Sequence, residues 1–171
     1  MSTLYVDSIE PKTTGGSVSM TGHVLQVVNF QTGAVATGTG TCSYDDTIMQ
    51  NTEGDEYMTL AITPTSATSK LKIDVVFACS VSTTNKFVTV GLFQDSTANA
   101  LAIGASTESL ANSPYLMNFS HFMTSGTTSS TTFKVRAGPD TSATLTFNGQ
   151  SGSRKYGGVY ASSITITEIG G

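Results

Sequence analysis

From residue 24 onward, apolar residues recur at every second position in short runs, each broken by a cluster of turn formers. Leu71, Ile73, Val75 and Phe77 alternate with Lys72, Asp74 and Val76, and Phe133, Val135 and Ala137 alternate with Lys134 and Arg136. Met58, Leu60 and Ile62 do the same with Thr59 and Ala61, Ile164 and Ile166 with Thr165 and Thr167, and Leu145 and Phe147 flank Thr146. Side chains two apart share one face of an extended chain, so each run has one apolar face and one wet face. Thr suits the wet face, because its branched Cβ favours the extended backbone while its hydroxyl stays hydrated. Turn clusters at residues 33–40, 51–55, 64–69, 80–85, 125–130, 138–142 and 148–153 separate the runs. That spacing belongs to a sandwich or barrel rather than to alternating strands and helices. The best helical stretch is 95–112, with Ala98, Ala100 and Ala102, but Thr97, Gly104 and Thr107 limit it to one or two turns. The expectation is an all-β fold of roughly eight to ten strands. An antiparallel β-sandwich of jelly-roll type over residues 24–171 is favoured, because that count fits two packed four-stranded sheets.

Residues 1–23 behave differently. Residues 3–9 have strand character, Pro11 ends it, and Gly15-Gly16 makes a turn before Val18 and Met20. Too few apolar residues are present to close a core, and an isolated strand would leave backbone groups unpaired. The expectation is a short N-terminal β arm that pairs with the main sheet or with another subunit.

Composition narrows the function classes. The 171 residues make one domain at ~100–200 residues per domain. Charged residues are 12%, against ~25% in ordinary domains, and Ser and Thr together number 51. Eight Phe, six Tyr and a net charge of only −4 exclude a charged disordered tail. No apolar run reaches the ~18–20 residues of a membrane-spanning helix, and the start lacks the cationic and apolar regions of a secretion signal. The eight basic residues are scattered, so there is no footprint for nucleic acid. Cys42 and Cys79 lie far apart with no CxxC, and read as small buried thiols in preference to a disulfide. Surfaces of hydroxyls with little charge pack readily against copies of themselves, which points to oligomerisation.

Catalytic constellations are absent from the pattern. His121 follows Ser120 directly, and neighbours on a strand face opposite ways, so the two cannot form a nucleophile–base pair. Asp45, Asp46, Glu53, Asp55 and Glu56 form the densest acidic stretch. They match no EF-hand loop and read as a solvated or subunit-facing turn, with calcium or a glycosidase acid/base pair as the alternatives. The glycines of residues 33–40 are not followed by the Lys and helix of a phosphate-binding loop. Tyr115, Tyr156 and Tyr160 are candidates for stacking on sugars in a lectin-like module. No cofactor is implied.

The opening Leu4-Tyr5-Val6-Asp7-Ser8-Ile9-Glu10-Pro11 and Gly15-Gly16-Ser17-Val18-Ser19-Met20-Thr21-Gly22 resemble a "VDxIxP…GGxVxIxG" leading segment. That segment is found in tailed-bacteriophage tail fibre and virion decoration proteins, particularly of aquatic phages. Further stretches carry the resemblance through most of the chain: His23 to Val28, Tyr44-Asp45-Asp46-Thr47-Ile48, Thr63-Pro64 to Ile73, Gly157-Gly158, and Ser163 to Ile169. The resemblance implies a non-enzymatic, homotrimeric virion component, made in a host cytoplasm, with a jelly-roll head like that of tumour necrosis factor. Its implied partners are other virion proteins and a host-surface glycan or protein, with neither nucleic acid nor membrane insertion. Receptor contact is expected on turns carrying Thr83, Thr84, Asn85 and Lys86, on Thr127 and Thr128, and at Tyr156, because loops on a rigid scaffold carry function. A lectin-like module and, less favoured, a glycan-cleaving virion enzyme are the other readings.

Overall fold

The long strands pair as a nested hairpin rolled onto itself. A computed structural model describes residues 22–171, so the expected arm over residues 1–23 lies almost wholly outside the described residues. The strands are β1 (Val24–Thr32), β2 (Ala36–Gly38), β3 (Asp55–Ile62), β4 (Lys70–Val81), β5 (Lys86–Gln94) and β6 (Ala102–Glu108). Then follow β7 (Tyr115–Thr124), β8 (Thr131–Pro139), β9 (Leu145–Phe147), β10 (Gly149–Gln150), β11 (Ser153–Arg154) and β12 (Ser162–Ile169). Of the eight long strands, the first pairs with the last (β1–β12) and the second with the seventh (β3–β8). The third likewise pairs with the sixth (β4–β7), and the fourth with the fifth (β5–β6), all antiparallel. Cross-pairs β12–β4 and β5–β8 then close two sheets whose long strands run β1-β12-β4-β7 and β3-β8-β5-β6, the short β9 and β2 bringing the first to six strands. This is the two-sheet jelly roll expected from the strand count.

The predicted alternation decides what lies between the sheets. Leu71, Ile73, Val75 and Phe77 of β4 and Ile164 and Ile166 of β12 meet Val88, Val90 and Leu92 of β5 and Phe133 and Val135 of β8. Each such side chain, fully buried, contributes about 1.5–3 kcal/mol relative to exposure. Tyr57, Phe77 and Phe147 form an aromatic knot with ring centroids 5.0–5.6 Å apart.

Two stretches depart from the sequence reading. The helical candidate at 95–112 contains no helix: Ala102, Gly104 and Ser106 alternate with Ile103, Ala105 and Thr107 as the edge strand β6. Small residues on one face suit it, since a Cβ on Gly104 would lie 2.7 Å from the Phe119 ring of the opposite sheet. The glycine-rich 33–40 stretch also contains a strand, β2, which pairs with β9 along the extension of β4.

The connection over 39–54 lies across the outer face of the second sheet. Cys42 and Met49 pack on Phe93, and the Tyr44 ring stacks on Phe87 at 4.0 Å. Backbone bonds from Cys42 N to Pro139 O (2.9 Å), Asn51 N to Ala98 O (2.8 Å) and Ala100 N to Met49 O (3.0 Å) hold it down. Consequently β5 is buried on both faces and has lost its alternation. Gly91 is required beneath this cover, because a Cβ there would stand 2.6 Å from Met49 Sδ.

Candidate functional site at the loop end of the sandwich

The jelly-roll topology sorts the connections into two groups. Residues 33–54, 82–85, 109–114 and 140–161 leave from one end, which we call the loop end. It is tied together by Ser82 N to Thr144 O (3.0 Å), Asn112 N to Val81 O (2.6 Å), Gln150 Nε2 to Asn112 O (2.6 Å) and Tyr160 OH to Tyr115 O (2.6 Å). Residues 63–69, 95–101 and 125–130 gather at the other end, together with residues 22 and 170–171.

This division separates the residues expected to touch a receptor. Thr83, Thr84 and Asn85 are exposed in the turn between β4 and β5, and Lys86 begins β5 with its Nζ on Thr141 Oγ1. Tyr156 belongs to the same end. Thr127 and Thr128 sit at the opposite end, where Ser125 N bonds Ser69 O (3.0 Å) and Gly126 N bonds Ala67 O (3.0 Å). Thr83 to Lys86 and Tyr156 therefore lie at one end of the sandwich and Thr127 and Thr128 at the other.

Tyr156 has an unusual backbone. It opens a short 3-10 turn (Tyr156–Gly158) with φ 49°, and Gly157 and Gly158 follow at φ 66° and 97°. Left-handed φ is natural for glycine but costs a tyrosine of order 1–3 kcal/mol. The ring gains no compensating burial: Tyr156 is 75% exposed and the following Val159 83%. The other two tyrosines expected to stack on sugars are half-buried, and the Tyr160 ring stands edge-on to that of Tyr156 at 6.3 Å. Tyr160 donates to the Tyr115 carbonyl, and the Tyr115 hydroxyl is buried beside Cys79. Burial pushes the Tyr160 phenol up to about 12.

Beneath the loops a buried polar node joins the two halves of the first sheet. Where β12 leaves the edge of β4, Ser162 Oγ accepts the Ala78 N–H at 2.9 Å and donates to Asn148 Oδ1 at 2.7 Å. Asn148 Nδ2 donates to the carbonyls of Thr32 (2.8 Å) and Ala34 (3.1 Å), and its N–H to that of Ala78 (2.9 Å). Asn148 is fully buried, with φ 54°.

The acidic stretch does not converge. Asp45 caps its own turn through Thr47 N (2.8 Å) and Thr47 Oγ1 (2.5 Å), and these bonds hold its carboxyl below the usual range. Asp46 is exposed beside it. Glu53 accepts Ser43 N (2.9 Å) and Gln50 N (2.7 Å), Asp55 accepts Gly40 N (2.7 Å), and Glu56 lies 3.7 Å from both Lys134 and Arg136. Most of these carboxylates are thus anchors for the covering loop. Among the described residues no group of three metal-binding side chains comes together.

A cleft of about 370 Å³ opens between β1 and the start of β3, lined by Phe30, Thr32, Val35, Asp55, Tyr57 and Phe147 among others. Tyr57 is the extra residue of a β-bulge between Glu56 and Met58, which turns its ring into the aromatic knot. Its hydroxyl is buried beside Gly38 without a hydrogen-bond partner. The sequence carried no sign of this cleft, because a bulge is invisible in a period-two pattern.

Ser120 is exposed and the half-buried His121 points to the other face of β7, as expected. Burial lowers the His121 imidazole below its ordinary value. Both cysteines are free and buried, and burial pushes each thiol up to about 12, so neither is a nucleophile near neutral pH.

No protein-family model and no curated protein matches the chain. Among solved structures it is similar to dimeric latent PorU from Porphyromonas gingivalis, with TM-score 0.44 and 9% identity over 92% of this chain and 14% of that one. It is also similar to the structure of infectious bursal disease virus Gx strain, with TM-score 0.38 and 13% identity over 98% of this chain and 43% of that one. A third likeness is to the enzymatically active domain of bacteriophage CBA120 tailspike protein 4, with TM-score 0.29 and 14% identity over 72% of this chain and 19% of that one. The chain spans less than half the length of each of these proteins.

Proposed function

We propose that this protein is a homotrimeric, non-enzymatic component of a phage virion that binds a host-surface glycan or protein through the loop end of its jelly roll. The observation that carries the binding site is Tyr156: a bulky aromatic held in a left-handed backbone, exposed, on the end that also presents Thr83, Thr84 and Asn85. Strained exposed residues persist where a ligand gives them a use. The virion assignment rests on the resemblance of residues 4–22 to phage fibre and decoration proteins, and the jelly roll and hydroxyl-rich surface accord with it. The dispersal of the acidic stretch supports a binding role over glycan cleavage.

The test combines mass and binding. Light scattering after size exclusion, with and without EDTA, is expected to give three times 17.8 kDa in both buffers. Fluorescently labelled protein is expected to stain a subset of a panel of aquatic bacteria, and Tyr156→Ala to weaken staining at least tenfold. A monomer, or staining indifferent to Tyr156→Ala and Asn85→Ala alike, overturns the reading. Release of reducing sugar from the same cells would return the enzyme reading to first place.

A further inference from the structure

Two neighbouring cations at the loop end stand out because nothing engages them. Elsewhere Lys72 pairs with Asp74 at 2.7 Å, and Lys134 and Arg136 each lie 3.7 Å from Glu56. Lys70 and Lys86 donate to the hydroxyls of Thr124 and Thr141, and Arg136 also donates to the carbonyls of Glu53 and Gly54. The other basic side chains of the described chain are Arg154 and Lys155. Among the described residues neither makes an ion pair or a side-chain hydrogen bond. Carboxylates are not scarce, since 12 acidic residues face 8 basic ones in the whole chain. The unpaired cations directly precede Tyr156, the strained and exposed aromatic of the same end.

We propose that the loop end takes an anionic saccharide, with its acidic group on the Arg154 guanidinium and a sugar ring on Tyr156, Lys155 adding to the local positive field. This deepens the receptor-binding reading and rests on it. Arg154 is exposed, yet its side chain is folded onto the turn that carries Tyr156. A Cβ on Gly158, which has φ 97°, would stand 3.2 Å from Arg154 Cδ and 3.6 Å from its Nη1. The turn is itself seated firmly, because Gly33 lies so close to the Gly158 carbonyl that no Cβ fits between them. Cation and ring are thus held on one short turn before any ligand arrives, which lowers the ordering cost of binding. The planar fork of an arginine matches the two oxygens of an acidic group, and an aromatic face suits the apolar face of a sugar ring. A polynucleotide would need a stripe of basic residues, whereas a cation pair suits a single acidic group. The net charge of −4 does not oppose this, because exposed charges beyond ~8 Å are largely screened in physiological salt.

The test uses surface polysaccharide extracted from a bacterial strain that the labelled protein stains, immobilised and titrated with the full-length protein. Arg154→Gln is expected to weaken binding about tenfold and Lys155→Gln about threefold, as loss of a charge-assisted contact and of a nearby charge should. Lys70→Gln removes the same charge at the closed end and is expected to change binding by less than about twofold. Raising the salt should weaken the wild type and have less effect on Arg154→Gln. Carbodiimide–borohydride reduction of the polysaccharide neutralises its carboxylates, and solvolysis removes its sulfates. One of these treatments is expected to abolish binding, which identifies the acidic group. Binding that survives both treatments overturns the inference, as does a loss in Arg154→Gln no larger than in Lys70→Gln. So does staining that depends on cell-surface protein, with no binding to the extracted polysaccharide. Loss of binding in Tyr156→Ala but not in Arg154→Gln would sink this inference and leave the receptor-binding end standing. Staining indifferent to Tyr156→Ala and Asn85→Ala alike would remove both.

Discussion

The two ends of this sandwich draw on the same stock of Ser, Thr, Gly and Asn, yet one end is wired shut and the other displays its residues. At the closed end Glu168 points into the protein, fully buried. Its carboxylate accepts Ser69 Oγ (2.6 Å), Gln26 Nε2 (2.6 Å), Thr65 Oγ1 (2.9 Å) and Thr65 N (2.9 Å), with Ser66 N at 3.3 Å. The 63–69 turn is thereby folded around a charge, and Ser125 Oγ, bonded to Ser66 O at 2.6 Å, locks the neighbouring turn to it. At the loop end the hydroxyls of Thr83 and Thr84 face water, and the tyrosine between Lys155 and Gly157 takes up a costly backbone. The lesson is that a low-charge chain can use hydroxyls as internal solvent for a carboxylate in one place and as a displayed surface in another.

The largest expected effect falls on the closed end. Glu168→Ala strands several buried donors at once, and since each bond to a charged group is worth about 1.5–3 kcal/mol, a net loss near ~3 kcal/mol is expected. Urea denaturation checks this. A change below ~1 kcal/mol would mean that the turn relaxes and water replaces the carboxylate. Cell staining by the folded variant should match wild type, because the charge sits at the far end from Tyr156.

Next comes the node beneath the loops. Asn148→Gly keeps the left-handed backbone but removes the side chain that bonds Thr32 O, Ala34 O and Ser162 Oγ, and about 2 kcal/mol is expected to be lost. Asn148→Ala should lose roughly 1 kcal/mol more, since a Cβ at φ 54° is strained where glycine is not. Equal losses in the two variants would show that the backbone there relaxes out of the left-handed region.

Acid should distinguish the ends a third way. Burial raises the Glu168 carboxyl, but the bonds from Ser69, Gln26 and Thr65 outweigh it and hold the folded value below the ordinary 4.5. A group lowered by folding stabilises above its unfolded value, and that contribution fades as pH falls through the folded one. Stability is therefore expected to decline below about pH 4.5, with a slope of at most ~1.4 kcal/mol per pH unit from this group. Glu168→Gln should flatten that limb. His121, lowered by burial, adds a separate decline beginning below its ordinary 6.5, which His121→Phe should remove. A Glu168→Gln curve parallel to wild type below pH 4.5 would contradict the first assignment.

Much of this architecture was legible because burial on one face leaves a period of two. Leu71 to Phe77, Phe133 to Ala137 and Ile164 to Ile166 each face the core as the alternation requires. The signal failed where a second layer intervened. KFVTVGLFQ is covered on one face by the opposite sheet and on the other by 39–54, and the alternating small residues of β6 imitate a weak helix. Glu168 was unreadable for a different reason: its place in TITEI marks the inward face, but only the fold brings Ser69, Thr65 and Gln26 to it. The acidic stretch was visible as composition, yet Asp45, Glu53 and Asp55 proved to be anchors for backbone N–H groups, a role decided by where the loop lies.

The smallest effect gives the sharpest contrast between the ends. Thr127 and Thr128 resemble Thr83 and Thr84 in residue type and in lying on a polar connection, and sequence alone treats the two pairs alike. The fold puts them at opposite ends, so Thr127→Ala with Thr128→Ala should leave host-cell staining unchanged, while Tyr156→Ala weakens it at least tenfold. Thr127 Oγ1 accepts only the Ser129 N–H, at 2.9 Å within its own exposed turn. The double substitution should therefore shift stability by no more than ~0.5 kcal/mol. Loss of staining in Thr127→Ala/Thr128→Ala with staining intact in Tyr156→Ala would reverse the polarity of the molecule, making the end wired around Glu168 the one that meets the host.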